Sequence, residues 1–235
     1  MNPLAQKNPH RRYNPLRQDW VLVSPNRTQR PWQGQMEKPV VAPALTYDPN
    51  CYLCPGNTRA GGARTDKYTS TYVFENDYAA LKLDAPRFSS DEGDKGILVA
   101  EGESGICRVI CFSPRHDLTL AKMAVSEIRT VVDVWAEQYR ELGARDDISY
   151  IQVFGNRGAM MGASNPHPHG QIWASLSIPN EVVAEVKGQR SYFEERGCCL
   201  LCAYREMEVR LQERVVTANA SFIAVVPYWA VWPFE

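Results

Sequence analysis

Two of the four histidines in this chain lie in one short segment, Ser164–Gln171, which reads Ser-Asn-Pro-His-Pro-His-Gly-Gln. A strand-like apolar run, residues 172–176, follows it directly. In an extended backbone, side chains two positions apart point to the same face. We therefore expect His167, His169 and Gln171 to project together from one strand end.

The residues around these histidines favour a conformationally restricted backbone that would hold a nucleophile in place. Pro166 and Pro168 have no backbone N–H and a restricted φ angle, while Gly170 lets another group approach the main chain. Imidazole is largely neutral at pH 7 and can act as a nucleophile without a separate base. The alternative is a proline-rich loop with surface histidines, but the proline and glycine framing and the polar Gln171 favour catalysis.

A second candidate site is formed by Cys51 and Cys54, whose spacing allows two thiolates to bind one tetrahedral metal ion. Two more ligands must come from distant parts of the chain. A buried cysteine pair without metal is the alternative. Cys199 and Cys202 have the same spacing, but they lie in an apolar, helical segment with no free histidine nearby, so we interpret them as plain thiols.

Arg27 and Arg30 flank a turn and are followed by Trp32. Such a set can bind a phosphate bidentately beside an aromatic ring. On spacing alone, the simpler interpretation is two solvated arginines.

The composition restricts the possible partners. The 235 residues include 26 basic and 27 acidic ones, giving a net charge of -1, which argues against a general nucleic-acid or membrane-surface binder. No apolar run approaches the length of a membrane span, and the N-terminus lacks the apolar core of a signal peptide, so we expect a cytoplasmic protein. In that compartment the seven cysteines are interpreted as thiols or metal ligands.

The hydrophobic pattern predicts the elements that must position these residues. A helix is predicted to begin at the N-cap Ser126 and to end at Gly143. Strands on both sides of it indicate an α+β fold in which helices back an antiparallel sheet. The apolar face of the helix is predicted as Ile128, Val131, Trp135, Tyr139 and Leu142. The other predicted elements are strands at residues 20–23, 106–112, 148–154 and 221–226, helices at 181–195 and 200–213, and an exposed loop at 84–105.

The His-Pro-His segment, together with Phe154-Gly155-Asn156-Arg157-Gly158 and Gly162, closely resembles the active-site signature of the galactose-1-phosphate uridylyltransferases, a branch of the histidine triad superfamily. The resemblance runs along the chain from the segment at His10 to the segment at Val226. Two positions depart from the family pattern. The family usually has Glu where Gly155 stands and often Cys where Ala163 stands.

The resemblance implies a histidine-triad-like antiparallel half-barrel sheet with helices on one side. It implies an N-terminal domain at residues 1–178, with the zinc site and the nucleophile, and an incomplete second half at residues 179–235. Family members continue beyond the position of Glu235, so we expect a chain truncated at its C-terminus. A homodimer is expected for the full-length protein.

The same resemblance implies the site residues. His116 and His167 would complete a zinc site with Cys51 and Cys54, and Glu185 would belong to a second site, for iron or zinc, whose other ligands are missing. His169 would be the nucleophile, its tautomer fixed by the backbone carbonyl of His167, with Gln171 and Ser164 donating to phosphate oxygens. The substrate-binding set would be Arg27, Arg30, Asn76, Asp77, Asn156, Gly162, Ala163, Ser164 and Gln171.

The implied reaction is uridylyl transfer in galactose metabolism. UDP-glucose would uridylylate His169 and release glucose 1-phosphate, and galactose 1-phosphate would then accept the uridylyl group. One alternative is a related nucleotidylyltransferase or phosphorylase acting on another nucleotide-sugar, such as ADP-glucose. Another is an inactive, zinc-stabilised binding module.

Overall fold

The computed structural model describes residues 7–29, 31, 45–92, 95–158, 161–163 and 165–232. These residues form two compact units. One combines the described residues up to Pro31 with residues 179–232, and the other consists of the described residues from Leu45 to Ile178. In chain order, the elements are strands β1 (His10–Asn14) and β2 (Asp19–Val23), a 3-10 turn (Pro25–Gln29), strands β3 (Tyr72–Glu75), β4 (Ser89–Asp91), β5 (Val99–Glu101) and β6 (Gly105–Cys111), a second 3-10 turn (Leu120–Lys122), helix α1 (Val125–Gly143), strands β7 (Tyr150–Phe154) and β8 (His169–Ser175), helices α2 (Asn180–Arg196) and α3 (Leu200–Leu211), and strands β9 (Val215–Ala218) and β10 (Ile223–Val225).

The second unit is built on a four-stranded antiparallel sheet in the order β3-β6-β8-β7. β8 is therefore hydrogen-bonded on both sides. Cys111 of β6 lies opposite His169, and Phe154 of β7 lies opposite Gln171. The predicted α+β class is confirmed, and the predicted strands at residues 106–112 and 148–154 correspond to β6 and β7.

The two faces of this sheet bury different groups, as the alternation of side chains along a strand requires. Ile106 and Ile110 of β6 and Ile172 of β8 pack with α1 in the main hydrophobic core. The other face of β6, with Val109 and Cys111, packs against the segment that carries Cys51 and Cys54.

Helix α1 differs from the sequence prediction in two details. Its N-cap is Ala124, not Ser126, because the carboxylate of Glu127 accepts a 2.8 Å hydrogen bond from the Ala124 N–H and so supplies the cap. Tyr139 is exposed and does not belong to the buried face, whereas Val131 and Leu142 are fully buried.

The exposed loop predicted at residues 84–105 contains regular structure. Strands β4 and β5 pair within it as an antiparallel two-stranded sheet whose residues are all exposed. Without buried side chains, this segment has no hydrophobic alternation that a sequence pattern could reveal.

In the first unit, the β1-β2 hairpin packs on the C-terminal segment. A Cβ at Gly188 of α2 would lie 2.1 Å from the carbonyl oxygen of Leu16, so only glycine allows this contact. Arg12 Nη1 donates a 2.9 Å hydrogen bond to the Tyr228 carbonyl. These contacts group the N-terminal strands with residues 179–232, whereas the family resemblance implies a domain of residues 1–178 that includes them. Among the described residues, no helix has both the length and the apolar character that crossing a membrane requires.

Candidate active site

His169 is the first residue of β8 and lies at the edge of an open cleft. Its Nδ1 is 2.7 Å from the backbone carbonyl oxygen of His167. A carbonyl oxygen can only accept, so Nδ1 carries the ring proton and Nε2 keeps its lone pair. The imidazole is thus held in the tautomer that a nucleophile requires.

The cleft beside His169 has a volume of about 240 Å³. Its polar lining consists of His169, Gln171, Asn76 and Asp77, four of the predicted site residues. Aromatic and aliphatic side chains form the remaining wall. These are Tyr52, Leu53, Ala60, Phe74, Tyr78 and Val109. An apolar slot with a few convergent polar groups is typical of a small-molecule site.

A cluster of four metal-binding side chains lies on the same side of the sheet. The ligand atoms of Cys51, Cys54, His116 and His167 all lie within 4.8 Å of one another. Cys54 Sγ is 3.6 Å from His116 Nδ1 and 3.5 Å from His167 Nδ1. Two thiols and two imidazoles at this separation can hold one tetrahedral ion.

Hydrogen bonds orient these ligands. His167 Nε2 lies 2.9 Å from the Ser113 carbonyl oxygen, so Nε2 carries the proton and Nδ1 is free to bind a metal. The backbone N–H groups of Leu53 and Asp48 point at the sulfurs of Cys51 and Cys54, at 3.4 and 3.5 Å. Donors of this kind stabilise thiolates.

Burial controls the protonation of the cluster. Desolvation raises the pKa of the Cys54 thiol to about 11 and lowers the pKa of His167 to about 4. His167 is therefore neutral, as a ligand must be. The thiol is protonated at neutral pH until a bound cation supplies the compensating charge.

Family models match nearly the whole chain. Residues 2–179 match the model described as galactose-1-phosphate uridyl transferase, N-terminal domain, and residues 185–235 match the model of the C-terminal domain of the same enzyme. The chain belongs to the galactose-1-phosphate uridyl transferase family. The family resemblance of the sequence is thereby confirmed.

Curated members of the galactose-1-phosphate uridyl transferase family share nearly half of the residues. The chain is 49% identical to the galactose-1-phosphate uridylyltransferase of Haemophilus influenzae over 97% of its own length and 64% of that protein. It is 47% identical to the enzyme of the same name from Saccharomyces cerevisiae, over 96% of the chain and 64% of the relative. The chain thus spans about 64% of the length of these two relatives.

Solved structures with the same fold include two proteins of Arabidopsis thaliana. A galt-like protein matches with a TM-score of 0.68 and 26% identity over 97% of this chain and 65% of its own. An ADP-glucose phosphorylase with bound ADP-glucose matches with a TM-score of 0.68 and 28% identity over 95% of this chain and 65% of its own.

His167 does not share a face with His169 and Gln171, contrary to the prediction. β8 begins at His169, so His169 and Gln171 share the cleft face, whereas His167 precedes the strand and turns into the metal cluster. Glycine is also needed at position 170 for a reason other than the predicted one. A Cβ there would lie 2.8 Å from both Phe112 Cζ and the Phe154 carbonyl oxygen, so the close approach is made by the protein itself.

Several predicted site residues of this uridyl transferase family member lie elsewhere or are not described. The described lining of the cleft does not include Asn156, Gly162 or Ala163, which lie in the loop after β7. Arg27 is exposed on the 3-10 turn of the first unit. Arg30 and Ser164 lie outside the described residues.

Glu185 is half-buried on α2. Among the described residues, the one group of three or more candidate ligands is the Cys-His cluster, which does not include Glu185. The role of Glu185 in a second metal site stays a prediction.

Sequence reasoning missed two side chains that support the cluster. Asn165 is buried, and its Oδ1 accepts a 2.9 Å hydrogen bond from the His167 N–H. Asparagine side chains often bond the backbone N–H two residues later in a turn, so the residue type at position 165 could have indicated this contact. The Tyr68 hydroxyl donates to the Leu53 carbonyl at 2.6 Å and lies 3.0 Å from His167 Nε2. No local pattern marks Tyr68, which the fold brings in from a loop.

Proposed function

We propose that this chain carries the nucleophile and the nucleotide-sugar cleft of a galactose-1-phosphate uridylyltransferase. In the first step, His169 Nε2 attacks the α-phosphorus of UDP-glucose. A phosphorus–nitrogen bond forms, the bond to the bridging oxygen breaks, and glucose 1-phosphate leaves. In the second step, a phosphate oxygen of galactose 1-phosphate attacks the uridylyl-histidine and releases UDP-galactose.

The observation that carries this proposal is the 2.7 Å bond between His169 Nδ1 and the His167 carbonyl, at the edge of the cleft. It leaves the lone pair on Nε2 and fixes the plane of the ring, so little reorganisation is needed at the moment of attack. Gln171, two residues further on the same strand face, supplies an amide that can donate to a non-bridging phosphate oxygen. An amide has no proton to transfer, which suits a leaving group and an acceptor that are already phosphate anions.

The remaining roles rest on the family resemblance. Asn76 and Asp77 line the cleft and would bind the nucleotide part of the donor. Arg27 and Arg30 would neutralise phosphate, and Ser164 would donate to a phosphate oxygen. Asn156, Gly162 and Ala163 would complete the substrate-binding set.

We also propose that Cys51, Cys54, His116 and His167 bind zinc. The site fits this ion because it offers two sulfur and two nitrogen donors, is largely buried, and has Nδ1 of His167 free. Bound zinc would supply the charge that keeps the thiols ionised and would hold the loop of Cys51 and Cys54 against His167. Iron or a second zinc at Glu185 rests on the resemblance alone, as do the cytoplasmic location and the homodimer.

A second candidate function differs in the nucleotide. The structural match to the ADP-glucose phosphorylase at 28% identity supports a nucleotidyl transfer from ADP-glucose, with the same attacking histidine. The higher identity to the curated uridylyltransferases, 49% for the Haemophilus influenzae enzyme, favours UDP-glucose.

Single-turnover labelling tests both proposals. The protein is mixed separately with UDP-glucose and ADP-glucose, each carrying radiolabel in the α-phosphate, and the label on the protein is measured after denaturation in base. We expect label from UDP-glucose, released on addition of galactose 1-phosphate. Label from ADP-glucose alone would establish the second function, and no label from either would contradict covalent transfer and leave a binding module.

A further inference from the structure

Arg59 is not among the described lining residues of the cleft, but it forms an ion pair with one of them, Asp77. Arg59 Nη2 is 3.0 Å from Asp77 Oδ1, and both side chains are largely buried, with 15% and 13% exposed. The guanidinium also stacks on the Phe74 ring, with its central carbon 4.3 Å from the ring centroid. Asp77 and Phe74 line the cleft, so Arg59 contacts two residues of its wall without belonging to the described lining.

The loop that carries Arg59 is folded tightly against Asp77. Arg59 N–H donates to the Ala63 carbonyl at 2.6 Å, and the Gly62 N–H donates back to the Arg59 carbonyl at 2.9 Å. A Cβ on Gly61 would lie 2.8 Å from Cβ and Cγ of Asp77. The ion pair on one side and the bare backbone of Gly61 on the other therefore restrict the Asp77 carboxylate to one orientation.

Stability alone does not explain this arrangement. A largely buried ion pair stabilises a fold little more than apolar side chains of similar size would, because both charges must be desolvated. The desolvation of Arg59 is also not fully compensated, because its Nε is buried with no hydrogen-bond partner in the part of the chain that the structure describes. Groups held at such a cost are more typical of functional sites than of cores.

We propose that Arg59 is a positioning residue for nucleotide-sugar binding, acting through Asp77; this rests on the proposed function of the cleft. Arg59 engages Asp77 Oδ1 and leaves Oδ2 to accept hydrogen bonds from hydroxyl groups of the ligand. The arrangement selects ligands with hydroxyl donors at that wall of the cleft.

The test is a double-mutant cycle in the full chain, with UDP as the probe and calorimetric titration as the readout. We expect Arg59→Met to raise the Kd for UDP about tenfold, the loss typical of a hydrogen bond to a charged group. Asp77→Asn should cause a loss of similar size, and the double variant should bind no more weakly than the weaker single variant. Arg59→Lys, which keeps the charge, should recover part of the affinity.

Two further variants separate positioning from a general effect on the loop. The methyl group that Gly61→Ala adds would meet the Asp77 side chain at 2.8 Å and displace it, so this variant should raise Kd as Arg59→Met does. Arg64→Met is the matched control, because Arg64 belongs to the same loop but bonds the Gly56 carbonyl. It should leave Kd within about twofold of the wild type. In UDP-glucose kinetics, Arg59→Met should raise KM by a larger factor than it lowers kcat.

Additive losses in the double variant, or an unchanged Kd for Arg59→Met, would overturn the proposal. An Arg64→Met loss equal to that of Arg59→Met would also overturn it, since loop integrity would then be the cause. If Arg59→Met does not fold, Arg59→Lys and Gly61→Ala carry the same comparison with Asp77→Asn. Failure of the proposed function is distinguishable, because a wild-type protein that binds UDP but never becomes labelled would contradict transfer and not the role of Arg59.

Discussion

The substitution Gly170→Ala places one methyl group between two neighbours that have no room for it. The added Cβ would lie 2.8 Å from the carbonyl oxygen of Phe154 and from Phe112 Cζ. The first neighbour is backbone in the adjacent strand β7, and the second is a ring that packs edge-on against Trp135, 5.9 Å away between centroids. Neither can move without disturbing the core.

The expected loss follows from two opposing effects. Overpacking of this kind costs about 1–3 kcal/mol. Replacing glycine recovers about 0.4–1 kcal/mol, because alanine has less conformational freedom in the unfolded chain. We therefore expect a net decrease of about 1–2 kcal/mol in the free energy of unfolding, which for a chain of this size lowers Tm by roughly 2–8 °C. Since Gly170 adjoins His169, labelling by UDP-glucose should also slow.

Urea unfolding followed by tryptophan fluorescence measures the stability change, and the labelling rate measures the effect on the nucleophile. Gly155→Ala is the matched control, because a Cβ there would meet the His169 carbonyl oxygen at an ordinary 3.6 Å. Its stability should stay within about 0.5 kcal/mol of the wild type. Equal unfolding midpoints for the two variants would refute the steric argument.

Three further predictions concern the metal cluster, the nucleophile and the ion pair between Arg108 of β6 and Glu141 of α1. Cys54→Ser should lose bound zinc and much of the fold's stability, measured by elemental analysis and thermal unfolding; a variant that keeps one zinc per chain would contradict the ligand set. His169→Gly should abolish labelling by UDP-glucose yet transfer the uridylyl group from uridylylated imidazole to galactose 1-phosphate; full turnover of UDP-glucose would exclude a covalent histidine. Hydrogen bonding and charge from Arg108 hold the pKa of Glu141 below its usual range, so the pair stabilises the protein above pH 5 and this contribution disappears as the pH falls through the lowered pKa. The stability difference between wild type and Arg108→Met should therefore shrink between pH 6 and pH 3, and a constant difference would show that packing alone is responsible.

Local patterns predicted the parts of the site that lie close together in the sequence. The alternation His169-Gly170-Gln171 correctly indicated a shared strand face, and the spacing of Cys51 and Cys54 indicated a metal site. His116 needed the family resemblance, because an isolated histidine in a polar segment carries no signal of its own.

The contacts that complete the site come from the fold and leave no trace in local sequence. The Ser113 carbonyl that orients His167 is a backbone group, which any residue type would supply. Tyr68 and Arg59 reach their partners across gaps of 99 and 18 positions in the sequence, and neither has a neighbouring pattern that marks it. At the start of α1, Ser126 has the residue type that helix caps prefer, but the hydrogen bond that caps the helix is made by Glu127.

The central place of β8 in its sheet has a consequence for how the protein opens. Its backbone amides are bonded to β6 along one edge and to β7 along the other, so they should be among the last in this unit to exchange with deuterated water. Brief openings of β3 or of the β4-β5 segment leave both edges of this strand paired, and an opening of β7 leaves it paired with β6. The histidine at its start is thus attached to the part of the sheet that persists longest, and heat inactivation should coincide with the cooperative loss of the whole sheet.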